Sequence, residues 1–311
     1  MYKISSAIVT GGTGVTGNAL VRYLLDQGVK VTALVRKNSI RAKYLPEHEN
    51  LKVVWCGLEE YAEIAGELEA GTYDAFFHLA WEGSKGKEKV ANRNNFRMQN
   101  MNTTYALDAV ELCHRLGCGT FVMTGSQAEY GPVEGACSEN NPKLPVNGYG
   151  MAKLCAEGMT RLLCHEYGIR HIWPILFSVY GPRDATESMI DTSIRNIMDG
   201  IENSYTKGEQ IWNYLYSFDA SKAIVLLAEM GEDGEFYNVA SKVNKPLGDY
   251  IRELYDTVKP GTEPVLGGRP YHGGKLMSLQ ADTTKLVMLT GFKEDYSFKD
   301  GIREIMESLD I

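Results

Sequence analysis

The chain has 311 residues, 44% of them hydrophobic and 23% charged, the composition of an ordinary soluble α/β protein. That length suits one larger α/β domain with a smaller domain fused to it. A net charge of -8 argues against nucleic-acid binding, which needs a basic face, and against an anionic membrane surface.

The first half alternates between two periodicities. An apolar run, Ile4 to Val9, predicts a strand that enters Thr10-Gly11-Gly12-Thr13-Gly14-Val15-Thr16-Gly17. A helix is expected over Asn18 to Gln27, with Leu20, Val21, Leu24 and Leu25 on one face and Gly28 as its stop. Val29 to Val35, Leu51 to Trp55, and Tyr73 to Ala80 read as strands two to four. A long helix over Asn94 to Leu116 and a fifth strand, Thr120 to Thr124, follow. Strand and helix in alternation predict a parallel sheet covered on both faces, the doubly wound Rossmann arrangement.

From Gly125 to Asn147 the chain reads as loop. Then come a helix, Tyr149 to Tyr167, and a buried strand, Ile172 to Phe177. The later part is less regular, with helices expected over Pro246 to Val258 and Lys299 to Leu309. Gly261 to Gly274, rich in Gly and Pro, reads as a loop over a site. No apolar run nears the roughly 20 residues that span a bilayer. Met1 to Thr10 leads straight into the first strand, which is not the layout of a removable signal peptide. The six cysteines, Cys56, Cys113, Cys118, Cys137, Cys155 and Cys164, show no CxxC spacing and read as reduced thiols of a cytoplasmic protein. His165-Glu166 has no HExxH partner, so no metal is expected.

Gly11, Gly14 and Gly17 stand between the first strand and the first helix. There the first glycine turns the chain, the second admits a pyrophosphate to the backbone, and the third packs helix on sheet. The helix start offers free N–H groups and a positive dipole end to phosphates. A dinucleotide cofactor is therefore expected. The second strand ends Leu34-Val35-Arg36-Lys37-Asn38-Ser39, with no carboxylate to take a ribose 2′-hydroxyl and two cations suited to a 2′-phosphate. This favours NADP over NAD, with NAD left open.

Tyr149-Gly-Met-Ala-Lys153 puts a phenol and an ammonium one helical turn apart. A cation beside a phenol favours the phenolate, so Tyr149 is expected to exchange a proton with a substrate oxygen. Any helix can carry such a pair by chance. Ser126, just past the fifth strand, lifts it, because strand ends face the cofactor crevice in this fold.

With those pieces, the chain resembles an extended short-chain dehydrogenase/reductase from end to end. The further matching pieces are His78-Leu-Ala80, Asn102, Tyr130-Gly131, Val179-Tyr-Gly-Pro-Arg183, Tyr216 with Asp219, Arg269-Pro270 and Ala281-Asp282. The resemblance implies that Ser126 and Tyr149 contact the reacting oxygen and that Lys153 holds the nicotinamide ribose. It implies cofactor contacts from Gly11, Thr13, Gly14, Val15, Arg36, Leu58, Leu79, Ala80, Asn102, Thr124, Tyr149 and Lys153. Substrate contacts would come from Trp81, Ser126, Gln127, Ser178, Trp212 and Arg269. It also implies a dinucleotide domain of residues 1–171 with about 212–242, and a substrate domain of about 172–211 with 243–311.

The chain departs from that pattern in two places. Related sugar-nucleotide 4,6-dehydratases carry an Asp-Glu pair where this chain has Gln127-Ala128, so expulsion of water lacks its acid and base. Trp212 and Asn213 stand where a diphosphate-binding Arg and an Asp are usual, which leaves Arg269 as the expected diphosphate contact. Trp81 follows the fourth strand and reads either as a platform for a sugar ring or as core. The Ala80-Trp81 pair, Gly125-Ser-Gln-Ala-Glu-Tyr-Gly131 and Trp212-Asn-Tyr-Leu-Tyr216 look similar to reductases of 4-keto-6-deoxy sugar nucleotides, and that resemblance implies an NADPH-dependent 4-ketoreductase of a nucleotide-activated 4-keto-6-deoxy sugar. A nucleotide-sugar 4-epimerase is the alternative, and a non-catalytic dinucleotide sensor a third reading. A homodimer is expected through the two long helices, where Met98, Met101, Leu107, Val110, Leu154, Met159, Leu162 and Leu163 exceed one core-facing stripe.

Overall fold

The computed structural model describes residues 3–83, 88–184, 187–271 and 278–309. Its centre is a parallel sheet of β1 (Ser6–Thr10), β2 (Lys30–Val35), β3 (Leu51–Trp55), β4 (Ala75–His78), β5 (Thr120–Met123), β6 (Arg170–Leu176) and β7 (Glu235–Val239). The spatial order is β7-β6-β5-β4-β1-β2-β3, and every pairing is parallel. The short segment Gly125–Ser126 joins β6 beyond the end of β5. The order reverses between β1 and β4, so a crevice opens at their C-terminal ends.

Helices α1 (Val15–Asp26), α2 (Phe96–Arg115), α3 (Gly148–Tyr167), α4 (Met189–Met198), α5 (Ser217–Met230), α6 (Leu247–Val258), α7 (Thr284–Thr290) and α8 (Phe298–Ser308) cover the sheet and build a smaller lobe. Strand residues are apolar on both faces because both faces are covered. On one face Ile8, Phe76, Phe121 and Trp173 pack with Ala106, Ala109 and Val110 of α2 and Ala156 of α3. On the other, Ala7, Val9, Phe77 and Val122 meet Leu20 and Leu24 of α1 and Ile224 and Leu227 of α5. A third apolar cluster joins Ile190 and Ile194 to Ile251, Leu254, Ile302 and Ile305, and forms the core of the smaller lobe. Strand β6 pairs with β5 and β7 within the main sheet.

The expected elements of the first half form within a few residues of their predicted bounds, and capping explains the offsets. Asn95 accepts a hydrogen bond from the Met98 N–H at 3.2 Å and starts α2. Asn147 accepts one from the Gly150 N–H at 2.9 Å, so α3 begins at Gly148. Gly168 ends α3 in the left-handed conformation, φ 67°. The region read as irregular holds α4, α5, β7 and α7. Helix α5 is buried nearly all round (Ala220, Ala223, Ile224, Leu227 and Ala228 have no exposed surface), which erases a one-sided apolar period.

Helices α2 and α3 pack on each other, with the Thr103 hydroxyl donating to the Ala152 carbonyl at 3.3 Å. Their outer faces carry Phe96, Met101, Met151, Met159 and Leu162, each between 42% and 70% exposed. Val110, expected on this outer face, lies instead in the core. Among the described residues no helix is long and apolar enough to cross a membrane. Five cysteines are buried, and Cys155 is exposed beside the same apolar face.

The β1–α1 turn depends on close backbone approach. A Cβ on Gly17 would overlap the Gly11 carbonyl oxygen, and one on Gly11 would lie 2.7 Å from the Ala80 nitrogen. Gly17→Ala is therefore expected to cost about 1–3 kcal/mol of stability in urea unfolding and to lower dinucleotide affinity in calorimetry. Wild-type values for both would show that the turn tolerates a side chain.

Candidate active site

Four chain segments meet at the crevice: the glycine turn, the end of β4, the end of β5 and the start of α3. The first two are joined by one hydroxyl. Thr10 Oγ1 accepts from the Leu79 and Ala80 N–H groups, each at 3.2 Å, and lies 2.9 Å from His78 Nδ1. His78 is fully enclosed, and burial lowers its pKa to about 3, so it stays neutral. The Gly14 N–H donates to the Gly11 carbonyl at 3.0 Å, and Gly11 has φ 71°. No side chain fits at Gly11 or Gly17, which suits the turn to a phosphate pressed against backbone N–H groups at the start of α1. Gly14 and Val15 stand at this turn, at the start of α1.

Tyr149 is held between two glycines, and both are needed. A Cβ on Gly148 would lie 2.9 Å from the Arg93 carbonyl oxygen and the Phe96 ring. One on Gly150 would overlap the Ala128 carbonyl oxygen. The Tyr149 N–H donates to the Arg93 carbonyl at 2.8 Å. The segment before α2 therefore docks on one side of Tyr149 and the turn after Ser126 on the other. Burial raises the Tyr149 pKa, while a hydrogen bond with Ser126 and the Arg93 charge pull it down.

Lys153 is buried, and its ammonium donates to the Thr124 carbonyl at 2.8 Å. It sits 3.9 Å above the Trp81 ring centre. Burial lowers its pKa to about 7, and the nearby Glu129 charge opposes that fall. The Arg93 charge also acts on the Tyr149 phenol. The Arg93 guanidinium lies 5.5 Å from the Tyr149 ring centre.

Trp81 meets Tyr149 edge-on at 6.0 Å and donates its indole N–H to Gln99 at 2.9 Å. Asn102 spends both ends of its amide on the turn after Trp81. It accepts from the Glu82 N–H at 2.7 Å and donates to the Glu82 and Met98 carbonyls. In this structure Asn102 thus fixes the strand end that carries Ala80 and Trp81. Leu58 lies beyond β3, half-buried against the core.

Glu129 is the residue that motif reading passed over. It is fully buried beneath Ser126. Its carboxylate accepts from the Ser126 N–H at 2.7 Å, from the Trp173 indole at 3.2 Å and from Lys143 at 3.1 Å. Burial raises its pKa and Lys143 opposes the rise. The signal was the capping-box spacing, Ser126-x-x-Glu129. The Ser126 hydroxyl accepts in turn from the Ala128 N–H at 3.2 Å.

A cleft opens beside Tyr149. Gln127, Ala128, Pro132, Val133, Val146, Phe177, Trp212 and Leu279 line it, with Arg93 its one charged lining residue among those described. The Trp212 indole donates to Ser178 Oγ at 3.0 Å, so these two expected substrate residues hold each other. Asn213 is buried and braces Ser241, Val243 and Asn244. Arg269 is exposed on a loop whose backbone docks on Tyr205 at 2.8 Å, outside the lining of this cleft. The expected loop over the site is described only to Tyr271, and residues 272–274 lie outside the described residues. At the end of β2, Lys37 is paired with Glu60 at 2.6 Å. Arg36 is exposed, and no side-chain partner for it occurs among the described residues.

A glycine cradle at a switch point, with Ser, Tyr and Lys at the neighbouring strand and helix ends, defines a nicotinamide-dinucleotide enzyme of the short-chain dehydrogenase/reductase class. The sequence model of the NAD dependent epimerase/dehydratase family matches residues 7–240, and the chain belongs to that family. It is 26% identical to a probable dTDP-glucose 4,6-dehydratase of Sinorhizobium fredii, over 96% of this chain and 91% of that one. Among solved structures it is similar to a UDP-N-acetylglucosamine 4-epimerase of Methanobrevibacter ruminantium (26% identity, TM-score 0.84, covering 99% and 98% of the two chains). A Thermotoga maritima UDP-glucose 4-epimerase shares the fold (21% identity, TM-score 0.84, covering 97% and 98%). The chain is thus an extended short-chain dehydrogenase/reductase enzyme.

Tyr149→Phe removes the phenol hydroxyl and leaves the packing. The variant is expected to fold and bind dinucleotide normally, with turnover reduced roughly 10²–10⁴-fold. Steady-state rates beside a calorimetric binding curve check both halves. More than about a third of the wild-type rate would be far outside that scale and would remove Tyr149 from the chemistry.

Proposed function

We propose that this enzyme is an NADPH-dependent 4-ketoreductase of a nucleotide-activated 4-keto-6-deoxy sugar. The observation that carries the reading is the wall beside Tyr149. Dehydration of a sugar needs an acid and a base at the ring. Here Gln127 and Ala128 occupy those places, and the one carboxylate of the turn, Glu129, faces down into the protein and is saturated with donors. Ala128, Pro132, Val133, Val146 and Phe177 offer an apolar surface, which suits the methyl group of a deoxy sugar better than a hydroxymethyl group.

The chain's own residues would act as follows. The N–H groups from Gly11 to Val15 hold the dinucleotide's pyrophosphate, and Arg36 meets its 2′-phosphate. Lys153, fixed by Thr124, is positioned to hold the nicotinamide ribose, with Leu79, Ala80 and Thr124 lining that place. A bound reduced nicotinamide supplies hydride. Ser126 and Tyr149 hold the sugar carbonyl oxygen, and Tyr149 gives it a proton. Trp81, Trp212 and Ser178 border the sugar, and Arg269 reaches the diphosphate when the sugar nucleotide binds. The solved relatives that act as epimerases favour a second reading, a 4-epimerase using the same Ser126, Tyr149 and Lys153.

Cofactor behaviour separates the two. NADPH is expected to bind at least ~10-fold tighter than NADH, one charge-assisted contact's worth of free energy, and Arg36→Asp should erase that preference. Dialysis should strip the protein of dinucleotide, and a panel of 4-keto sugar nucleotides should oxidise NADPH optically. Protein that keeps NAD through dialysis and interconverts two sugar nucleotides unaided would establish the epimerase.

We also propose that two copies pair through α2 and α3. Phe96 and Met101 on α2 and Met151, Met159 and Leu162 on α3 are large apolar side chains left exposed, the kind of surface that pairing would cover. Light scattering at micromolar concentration should give a dimer mass, and Leu162→Glu should shift it to monomer. A strictly monomeric wild type would refute the pairing.

A further inference from the structure

We propose that Glu129 is a positioning residue whose carboxylate, buried beneath the turn after β5, keeps the Lys153 side chain a cation. The inference rests on Lys153 serving the proposed reaction as an ammonium.

Three consecutive residues, Thr124, Gly125 and Ser126, join the two charges. The Lys153 ammonium donates to the Thr124 carbonyl at 2.8 Å. The Ser126 N–H donates to the Glu129 carboxylate at 2.7 Å. That carbonyl and that N–H belong to the peptide units on either side of the Gly125 Cα. Cation and anion thus grip neighbouring links of one strand end. Glycine at 125 permits the approach: a Cβ there would lie 2.6 Å from Glu129 Oε1 and would overlap the Trp173 indole nitrogen.

The partners of Glu129 settle its charge. The Ser126 N–H, the Trp173 indole N–H and the Lys143 ammonium are donors that cannot accept, and all three point at its carboxylate. Such a set favours the ionised form of a group with no exposed surface. Lys143 also lies 3.9 Å from Glu157, against 3.1 Å from Glu129, so its charge is divided between the two.

Around Lys153 the balance is otherwise against a cation. Burial pulls its pKa down to about 7. The Trp81 ring face, 3.9 Å away, favours the ammonium but carries no net charge. His78 at the end of β4 and His171 on β6 are kept neutral by burial, and Tyr130 beside Glu129 stays a neutral phenol for the same reason. Among the described residues, Glu129 is the carboxylate whose charge acts on Lys153. It acts on Tyr149 in the same sense, favouring the protonated phenol, while Ser126 and the Arg93 charge pull the other way. During reduction the keto carbon accepts hydride from a reduced nicotinamide and the keto oxygen takes the Tyr149 proton, which leaves one negative charge on the phenolate. Lys153, one turn along the same helix, stabilises that charge only while it is itself protonated. Proton uptake from solvent then restores the phenol.

The test uses full-length protein whose lysines carry ¹³C at Cε, titrated by NMR. Lys153 is assigned by the signal lost in Lys153→Met. In Glu129→Gln, which keeps the shape and removes the charge, the Lys153 midpoint should fall by about one unit, the low end for loss of a nearby opposite charge. Glu129→Asp, which keeps the charge, should restore most of that shift. The alkaline limb of kcat/KM should move to lower pH in step, with a roughly tenfold loss above the wild-type midpoint, the same one-unit shift read as a rate. Folding is checked by circular dichroism. If the single variant fails to fold, Glu129→Gln with Lys143→Met removes the buried pair together and takes its place. An unmoved Lys153 midpoint in a folded variant overturns the proposal, as does Glu129→Asp behaving like Glu129→Gln. The titration needs no sugar. A lowered midpoint beside a silent substrate panel would therefore support Glu129 and remove only the substrate reading.

Discussion

A side chain on Gly17 would overlap the Gly11 carbonyl, and one on Gly150 would overlap the Ala128 carbonyl. Backbone pressed against backbone at these two places is the constraint from which the site follows. The first contact closes the glycine turn at the start of α1. The second seats the start of α3 against the turn that carries Ser126. Each contact removes a degree of freedom that a side chain would otherwise absorb, so Ser126 and Tyr149 face each other without a linking side chain.

Beneath those contacts lies a row of buried polar groups, each with a defined partner. Thr10 ties β1 to the end of β4, Thr124 holds Lys153, and Glu129 holds Ser126. Buried charge is costly unless it is paired and hydrogen-bonded. Glu129 meets that cost through Lys143, Trp173 and the Ser126 N–H. The same saturation removes it from acid–base work. Lys153 lacks a direct carboxylate contact in this arrangement, and burial weakens its charge. Arg93 lines the cleft on the side of the Tyr149 ring.

The first half of the fold was legible because its strands are short apolar runs bounded by Gly and its helices show one apolar face. Gly11, Ser126, Tyr149 and Lys153 were legible because each sits at an element boundary the pattern marks. The second half was not. Helix α5 is buried nearly all round, so its period is hidden, and β7 is a five-residue strand at the sheet edge. Glu129 was visible as the fourth residue of a capping box, but that spacing announces a turn and says nothing of burial. Arg93 carries no local signal at all. Only the docking of its segment on Gly148 brings it to Tyr149. Asn213 shows another case, a position where the family usually carries an Asp and where packing makes it a brace for the chain around Ser241.

The central claim is that this site moves hydride onto a keto carbon and a proton from Tyr149 onto its oxygen, with no base available to take water from the ring. Isotope transfer tests it most directly. A 4-keto-6-deoxy sugar nucleotide incubated with NADPH deuterated at nicotinamide C4 should give a product with one deuterium at the former keto carbon. That product should carry no solvent hydrogen newly placed at C5 or C6. Deuterium left wholly on the dinucleotide, with the sugar nucleotide changed at C4 all the same, would contradict the account.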